Sequence, residues 1–187
     1  MLGRVIRAFG IICVLALAAG SVAAQLSPDA KLIKAINDND LREIQVRVLN
    51  GASPNARDFD GTPALVIAAD KGLASVVQYL VRNGARPNTV ARKTGLSALM
   101  AAAERGDTQI VRLLLSKKAD PDIPDRRGET ALIKAARRGQ RGAVRALLKA
   151  GADYEIEDYT GRSALQYARD SRKRNIVDML ERAGAAP

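Results

Sequence analysis

Residues 128–153 read GETALIKAARRGQRGAVRALLKAGAD. A glycine opens the stretch, a short helical pattern ends at Gly139, a second follows, and Gly151-Ala152-Asp153 closes it. These landmarks recur along the chain. Gly61, Gly95, Gly128 and Gly161 open equivalent units at spacings of 34, 33 and 33 residues. Gly51, Gly84, Lys118, Gly151 and Gly184 close them at spacings of 33, 34, 33 and 33. A period of this length means stacked units in place of one bulky centre.

Outward from that stretch, four full units share one grammar. They read GTPALVIAADKG, GLSALMAAAERG, GETALIKAARRG and GRSALQYARD, each followed by a second apolar helical pattern. Pro63, Ser97, Thr130 and Ser163 stand two residues after the glycine and begin a short helix. Leu65, Leu99, Leu132 and Leu165 stand four after it. Ala68, Ala69, Ala102, Ala103, Ala135, Ala136 and Ala168 then fall where two helices must approach closely. Ahead of these units, Ser27-Pro28-Asp29 starts a helix to about Asn37. Asp40 and Glu43 form a capping-box pattern for a second helix that ends at Gly51. This unit lacks the opening turn and reads as an amino-terminal cap.

These residues resemble the ankyrin repeat, a β-turn and two antiparallel helices with the signature T-P-L-H-x-A. The resemblance covers residues 27–187 and implies an all-α solenoid of helix-turn-helix units with short β-hairpin or turn tips. The histidine of the signature is replaced by Val66, Met100, Ile133 and Gln166, and its proline by Ala64, Ala98, Ala131 and Ala164. In the family that Thr and His link neighbouring turns. Here Ser97, Thr130 and Ser163 are expected to keep part of the link, with packing in place of the histidine. Inner helices such as the one carrying Ile110, Val111, Leu113, Leu114 and Leu115 are expected to be almost wholly buried. The last helix alternates Ile176, Val177, Met179 and Leu180 with charged residues, as a carboxyl-terminal cap requires.

The expected layout is a signal peptide over 1–24 and a repeat domain over 25–187. Within the domain lie a cap unit (27–57), full repeats (58–91, 92–124 and 125–157) and a cap repeat (158–187). Arg4 and Arg7 precede an apolar run from Ala8 to Ala19, and Val22 and Ala24 supply small residues for cleavage after Ala24. The run is shorter than the ~18–20 residues that span a bilayer, although an uncleaved anchor or acylation at Cys13 stands as an alternative. Cys13 is the only cysteine, no histidine occurs, and no Asn-x-Ser/Thr acceptor follows residue 24. Export with these features leans towards a bacterial periplasm.

The missing histidine and cysteine remove most acid–base, nucleophilic and metal chemistry, so neither an enzyme nor a cofactor is expected. Asp120, Asp122 and Asp125 sit in a turn segment, where aspartate bonds local backbone; a calcium site is the minor alternative. Arg172-Lys173-Arg174 reads as a solvated helix start. The formal net charge is +10, which bears on partners and not on fold. The family binds partners along the groove made by hairpin tips and first helices, which the resemblance carries onto this chain. In the first full unit those positions are Asp58, Phe59, Asp60, Thr62, Asp70 and Lys71; in the second they are Arg92, Lys93, Leu96, Glu104 and Arg105. The third gives Arg126, Arg127, Glu129, Arg137 and Arg138, and the fourth Tyr159, Thr160, Arg162, Arg169 and Asp170.

Arginine offers planar, paired donors to carboxylates and phosphates. The expected contact set is Phe59, Arg92, Lys93, Arg105, Arg126, Arg127, Arg137, Arg138, Tyr159, Arg162 and Arg169, centred on Arg126, Arg127, Arg137 and Arg138. Phe59 and Tyr159 either anchor a partner or pack on their own hairpins. The leading expectation is a monomeric, exported module that binds an acidic protein surface. An inhibitor or immunity-type protein for an exported enzyme is one form of it. The alternative is an anionic surface of phospholipid or lipopolysaccharide phosphates. Nucleic acid is not expected, because aromatic stacking platforms are scarce.

Overall fold

The computed structural model describes residues 27–184. The expected signal peptide, its cleavage site and the closing residues 185–187 lie outside them. Ten helices pair along the described chain: α1 (Pro28–Asn37) with α2 (Leu41–Leu49), α3 (Ala64–Asp70) with α4 (Ala74–Arg82), and α5 (Ala98–Arg105) with α6 (Thr108–Ser116). The order continues with α7 (Ala131–Arg138) and α8 (Arg141–Lys149), then α9 (Ala164–Asp170) and α10 (Arg174–Ala183). The odd-numbered helices stack into one row and the even-numbered helices into a second row against it. The architecture is an all-α solenoid of helix-turn-helix units. Among the described residues no helix is long and apolar enough to cross a membrane.

The two rows use their sequences differently. First helices of the four full repeats are short and carry the alanines, and α5 buries every residue from Ala98 to Ala103. Alanine permits this close approach, while Leu65, Leu99, Leu132 and Leu165 fill the space between layers. Second helices bury one stripe: Val76, Val77 and Leu80 in α4, then Ile110, Val111 and Leu114 in α6. The expectation of a nearly all-buried α6 is corrected, because Leu113 and Leu115 are only half-buried. A second helix has its first helix on one side and water on the other. Each fully buried Leu or Ile contributes about 1.5–3 kcal/mol over its exposed state, and the core runs unbroken from Leu32 to Leu180.

Helix ends follow local chemistry. The Ser27 hydroxyl accepts the Ala30 N–H at 3.1 Å, and the Asp40 carboxylate accepts that of Glu43 at 3.0 Å. Glu43 does not complete a capping box; it pairs with Arg47 one turn on. The reciprocal box forms at Ser163 and Gln166 instead.

The links between repeats also differ from expectation. The hydroxyls of Ser97, Thr130 and Ser163 cap their own helices, accepting from the N–H groups of Met100, Ile133 and Gln166. Neighbouring units are joined by the loop after each second helix. The Asn55 amide accepts the Arg86 N–H at 2.8 Å and donates to the Gly84 carbonyl at 3.0 Å. Asn88 repeats the pattern with the Asp120 N–H and, at 3.5 Å, the Lys118 carbonyl. Asp122, which has no amide to donate, keeps only the acceptor half, to the Asp153 N–H. The hairpin tips add backbone bonds from Arg126 to Thr94 and from Tyr159 to Arg127.

Hairpin glycines make that approach possible. At Gly128, with φ of +82°, an added Cβ would lie 2.8 Å from the Tyr159 nitrogen. The hairpin at 91–96 holds one extra residue: Ala91 N–H bonds to Leu96, whereas Asp58 bonds to Thr62 and Asp125 to Glu129. This insertion is the source of the 34-residue spacing.

Candidate interaction surface

The groove side of the stack is built by the hairpin tips and by one position on each first helix. That helix position is Ile67 in α3, Ala101 in α5, Lys134 in α7 and Tyr167 in α9. Lys134 is 4% exposed, a cation inside the stack. Its ammonium lies 2.8 Å from Asp125 Oδ2 and 2.7 Å from Glu129 Oε2. Glu129 is 1% exposed and also pairs with Arg137. Glu129 is therefore not a surface tip position, contrary to the groove expectation. Arg137 lies 3.6 Å from Glu104, and Arg138 donates to the same carboxylate at 2.9 and 3.1 Å.

Lys134, Arg137 and Arg138 are thus matched by Asp125, Glu129 and Glu104, and the set is formally neutral. Burial pushes the Asp125 carboxyl up, but the Lys134 ammonium and the N–H groups of Arg127 and Glu129 outweigh it and hold it below the usual carboxylate range.

The same geometry recurs one repeat on with different chemistry. Tyr167 takes the place of Lys134 and donates to Asp158 Oδ2 at 2.6 Å. Asp158 Oδ1 also accepts from the Thr160 hydroxyl and from the N–H groups of Thr160 and Arg162. Burial raises this carboxyl, but those donors win and hold it at about 2. Its bond to Asp158, with burial, pushes the Tyr167 hydroxyl up. Two guanidinium groups lie over the Tyr167 ring, Arg162 at 5.3 Å and Arg137 at 5.6 Å from its centroid. The first two full repeats have no such post, because Ile67 and Ala101 carry no donor.

The expected contact residues therefore divide. Arg137 and Arg138, taken with Arg126 and Arg127 as the centre of the surface, are held in the neutral network, and Arg137 is only about a quarter exposed. Arg169 takes the helix position of Ala136 and pairs with Glu181 of α10 at 2.8 Å, away from the hairpin tips. Arg105 pairs with Asp107 beside Gly72. At the tips, Lys93 meets Asp60, and the Arg92 side chain crosses Gly61. Arg126 donates to the Arg92 carbonyl, which leaves its charge unopposed. Arg127 is exposed with no side-chain partner among the described residues. Arg162 is half-exposed, 3.9 Å from Asp170. Phe59 is fully exposed and Tyr159 is 75% exposed, so neither is folded onto its own hairpin. Tyr159 instead edges against Gly128 of the preceding unit.

Asp120, Asp122 and Asp125 separate into three tasks. The first two accept the N–H groups of Asp122 and Asp153, and the third holds its hairpin and Lys134. Among the described residues no group of three or more His, Cys, Asp or Glu side chains is placed to hold a metal ion. The buried Lys134 network escaped sequence reasoning. Its signal was a lone cation inside the apolar run ALIKAA, where counterpart helices carry Ile67 or Ala101.

Comparison with known proteins agrees with this geometry. The family model described as ankyrin repeats (3 copies) matches residues 32–125 and 99–186. An ankyrin repeat-containing protein of Treponema pallidum is 32% identical over 101 residues, which is 54% of this chain and 34% of the relative. The B-cell lymphoma 3 protein homolog of Mus musculus is 34% identical over 94 residues, or 50% of this chain and 21% of that protein. The BRCA1-associated RING domain protein 1 of Caenorhabditis elegans is 32% identical over 101 residues, 54% of this chain and 14% of that protein. The chain spans about a third or less of these relatives. With the repeat period, the paired helices and a family match over most of its length, the chain belongs to the ankyrin-repeat family, whose stacks are protein-interaction modules.

Proposed function

We propose that this chain is an exported adaptor that captures an acidic surface of a partner protein along its hairpin tips. One observation carries the reading: the cations inside the groove are neutralised by Glu104, Asp125 and Glu129, and Lys93 at the tips by Asp60, whereas Arg92, Arg126 and Arg127 at the tips meet no carboxylate among the described residues. Arg92, Arg126 and Arg127 form an exposed row, with Phe59 towards one end and Tyr159 towards the other. A row of arginines with exposed aromatics at its ends has the composition of an interface hot spot. The backbone ties from tip to tip hold that row in register before a partner arrives, which reduces the entropy cost of binding. Export rests on the amino-terminal sequence, with its basic start, apolar run and small residues near Ala24.

The test is crosslinked capture from the periplasm of the producing cell at low and moderate salt, with the native chain and with R126E/R127E. The expected result is one stoichiometric protein partner, retained at moderate salt and lost on charge reversal. Capture that survives R126E/R127E would remove the tips from the account.

A further inference from the structure

The cations without a counter-charge extend to a second surface, on the opposite side of the stack from the groove. Helices α4, α6 and α8 contain no aspartate or glutamate. Their outward positions hold Arg82, Arg112, Arg145 and Lys149, all exposed, and none meets a carboxylate within ion-pair distance among the described residues. The register explains the grouping. Arg112 and Arg145 each follow the buried valine of their helix, Val111 and Val144, by one residue. Arg82 and Lys149 stand five residues after Val77 and Val144. One turn and adjacent layers therefore place them as a patch.

A shallow cleft of about 520 Å³ lies between α6 and α8, lined by Arg112, Leu115, Arg145, Ala146, Lys149 and Ala150. Its lining is of two kinds, the exposed cations Arg112, Arg145 and Lys149 and the hydrocarbon of Leu115, Ala146 and Ala150. The same row of second-helix positions continues to Leu49 of α2, which is 80% exposed.

We infer that this face docks on an anionic phospholipid surface, with a lipid phosphate held by Arg112, Arg145 and Lys149 over the cleft. Unopposed cations beside exposed apolar side chains match a phosphate ester joined to hydrocarbon. A nucleic acid would seek aromatic platforms, and the exposed aromatics, Phe59 and Tyr159, belong to the hairpin tips. An acidic peptide would match the charge but leave the apolar half of the cleft without a role. The tips remain available to a protein while the second-helix face lies on the membrane.

The test is co-sedimentation of the full chain with vesicles of phosphatidylcholine alone and of phosphatidylcholine mixed with phosphatidylglycerol. The excess binding to the mixed vesicles is the quantity read. Every variant keeps the native amino terminus, so differences between them report on the substituted face. Losing three cations near an anionic leaflet weakens that excess by about a hundredfold. The expected result is that loss in R112Q/R145Q/K149Q, with unchanged thermal unfolding, and little change in R126Q/R127Q. A single R145E variant serves as a second probe and should fall in the same direction. Equal binding to both vesicle types, an unchanged triple variant, or displacement from vesicles by equimolar polyglutamate or single-stranded DNA would overturn the inference.

Discussion

Replacing Lys134 with methionine isolates the buried network. The Lys134 ammonium lies 2.8 Å from Asp125 and 2.7 Å from Glu129, with side chains 4%, 7% and 2% exposed. The K134M variant keeps the apolar stem and removes the charge. Two carboxylates then remain in a site closed to water. Breaking a buried pair by removing one partner costs about 3–5 kcal/mol. Glu129 retains Arg137, and Asp125 retains the N–H groups of Arg127 and Glu129, which places the loss near the lower limit, at about 3 kcal/mol. In urea, with a slope of about 2 kcal/mol per molar, the midpoint falls by about 1.5 M.

Equilibrium unfolding followed by far-ultraviolet circular dichroism at neutral pH measures it. Adding Glu129→Leu to K134M removes one of the two stranded acids and should restore about 1 kcal/mol or more. A midpoint shift under about 0.3 M for K134M, or further loss on adding E129L, would refute the claim that this network is buried and mutually compensated.

Other substitutions test separate parts of the stack. Leu132 and Leu114 are fully buried, and truncating either to alanine should cost about 2–5 kcal/mol in the same unfolding assay. Gly128 and Gly151 both have positive φ, but only at Gly128 would a Cβ meet backbone, the Tyr159 nitrogen at 2.8 Å. Gly128→Ala should therefore destabilise more than Gly151→Ala, which carries only the left-handed conformational penalty of about 1 kcal/mol. Folding holds the Asp158 carboxyl at about 2, below its ordinary 3.8. Its stabilising contribution is complete above the unfolded value and is lost as pH falls from about 4 through about 2. The shift is worth at most about 2.5 kcal/mol. Asp158→Asn should flatten that acid limb in denaturant titrations run between neutral pH and about pH 2.

The fold was legible because stacking imposes periodicity on the sequence. Glycines with positive φ, leucines four residues later and paired alanines answer to geometry that every layer repeats. Even the 34-residue spacing had a structural meaning, the extra residue in the hairpin at 91–96. The polar links were less legible, since a serine at a helix start serves equally as a cap or as a bridge between turns. Ser97, Thr130 and Ser163 proved to be caps, and the bridging fell to Asn55, Asn88 and Asp122. Site charge was the hardest to read. The expectation treated Arg137 and Arg138 as neighbours of Arg126 and Arg127 on one basic stripe. Arg138 reaches back 34 residues to Glu104, and Arg137 reaches Glu129 on its own repeat. Whether a cation is free depends on those contacts across layers, which composition does not encode.

A paired comparison of R126Q/R127Q with R137Q/R138Q tests the division between working and structural arginines most directly. Each variant is assayed for urea stability and for capture of the protein partner. The account predicts that R126Q/R127Q unfolds like the native chain and loses capture. It predicts that R137Q/R138Q is less stable, by about 1–3 kcal/mol for uncovering Glu129, and still captures the partner under folded conditions. Loss of capture in R137Q/R138Q while it remains folded, with capture intact in R126Q/R127Q, would contradict it.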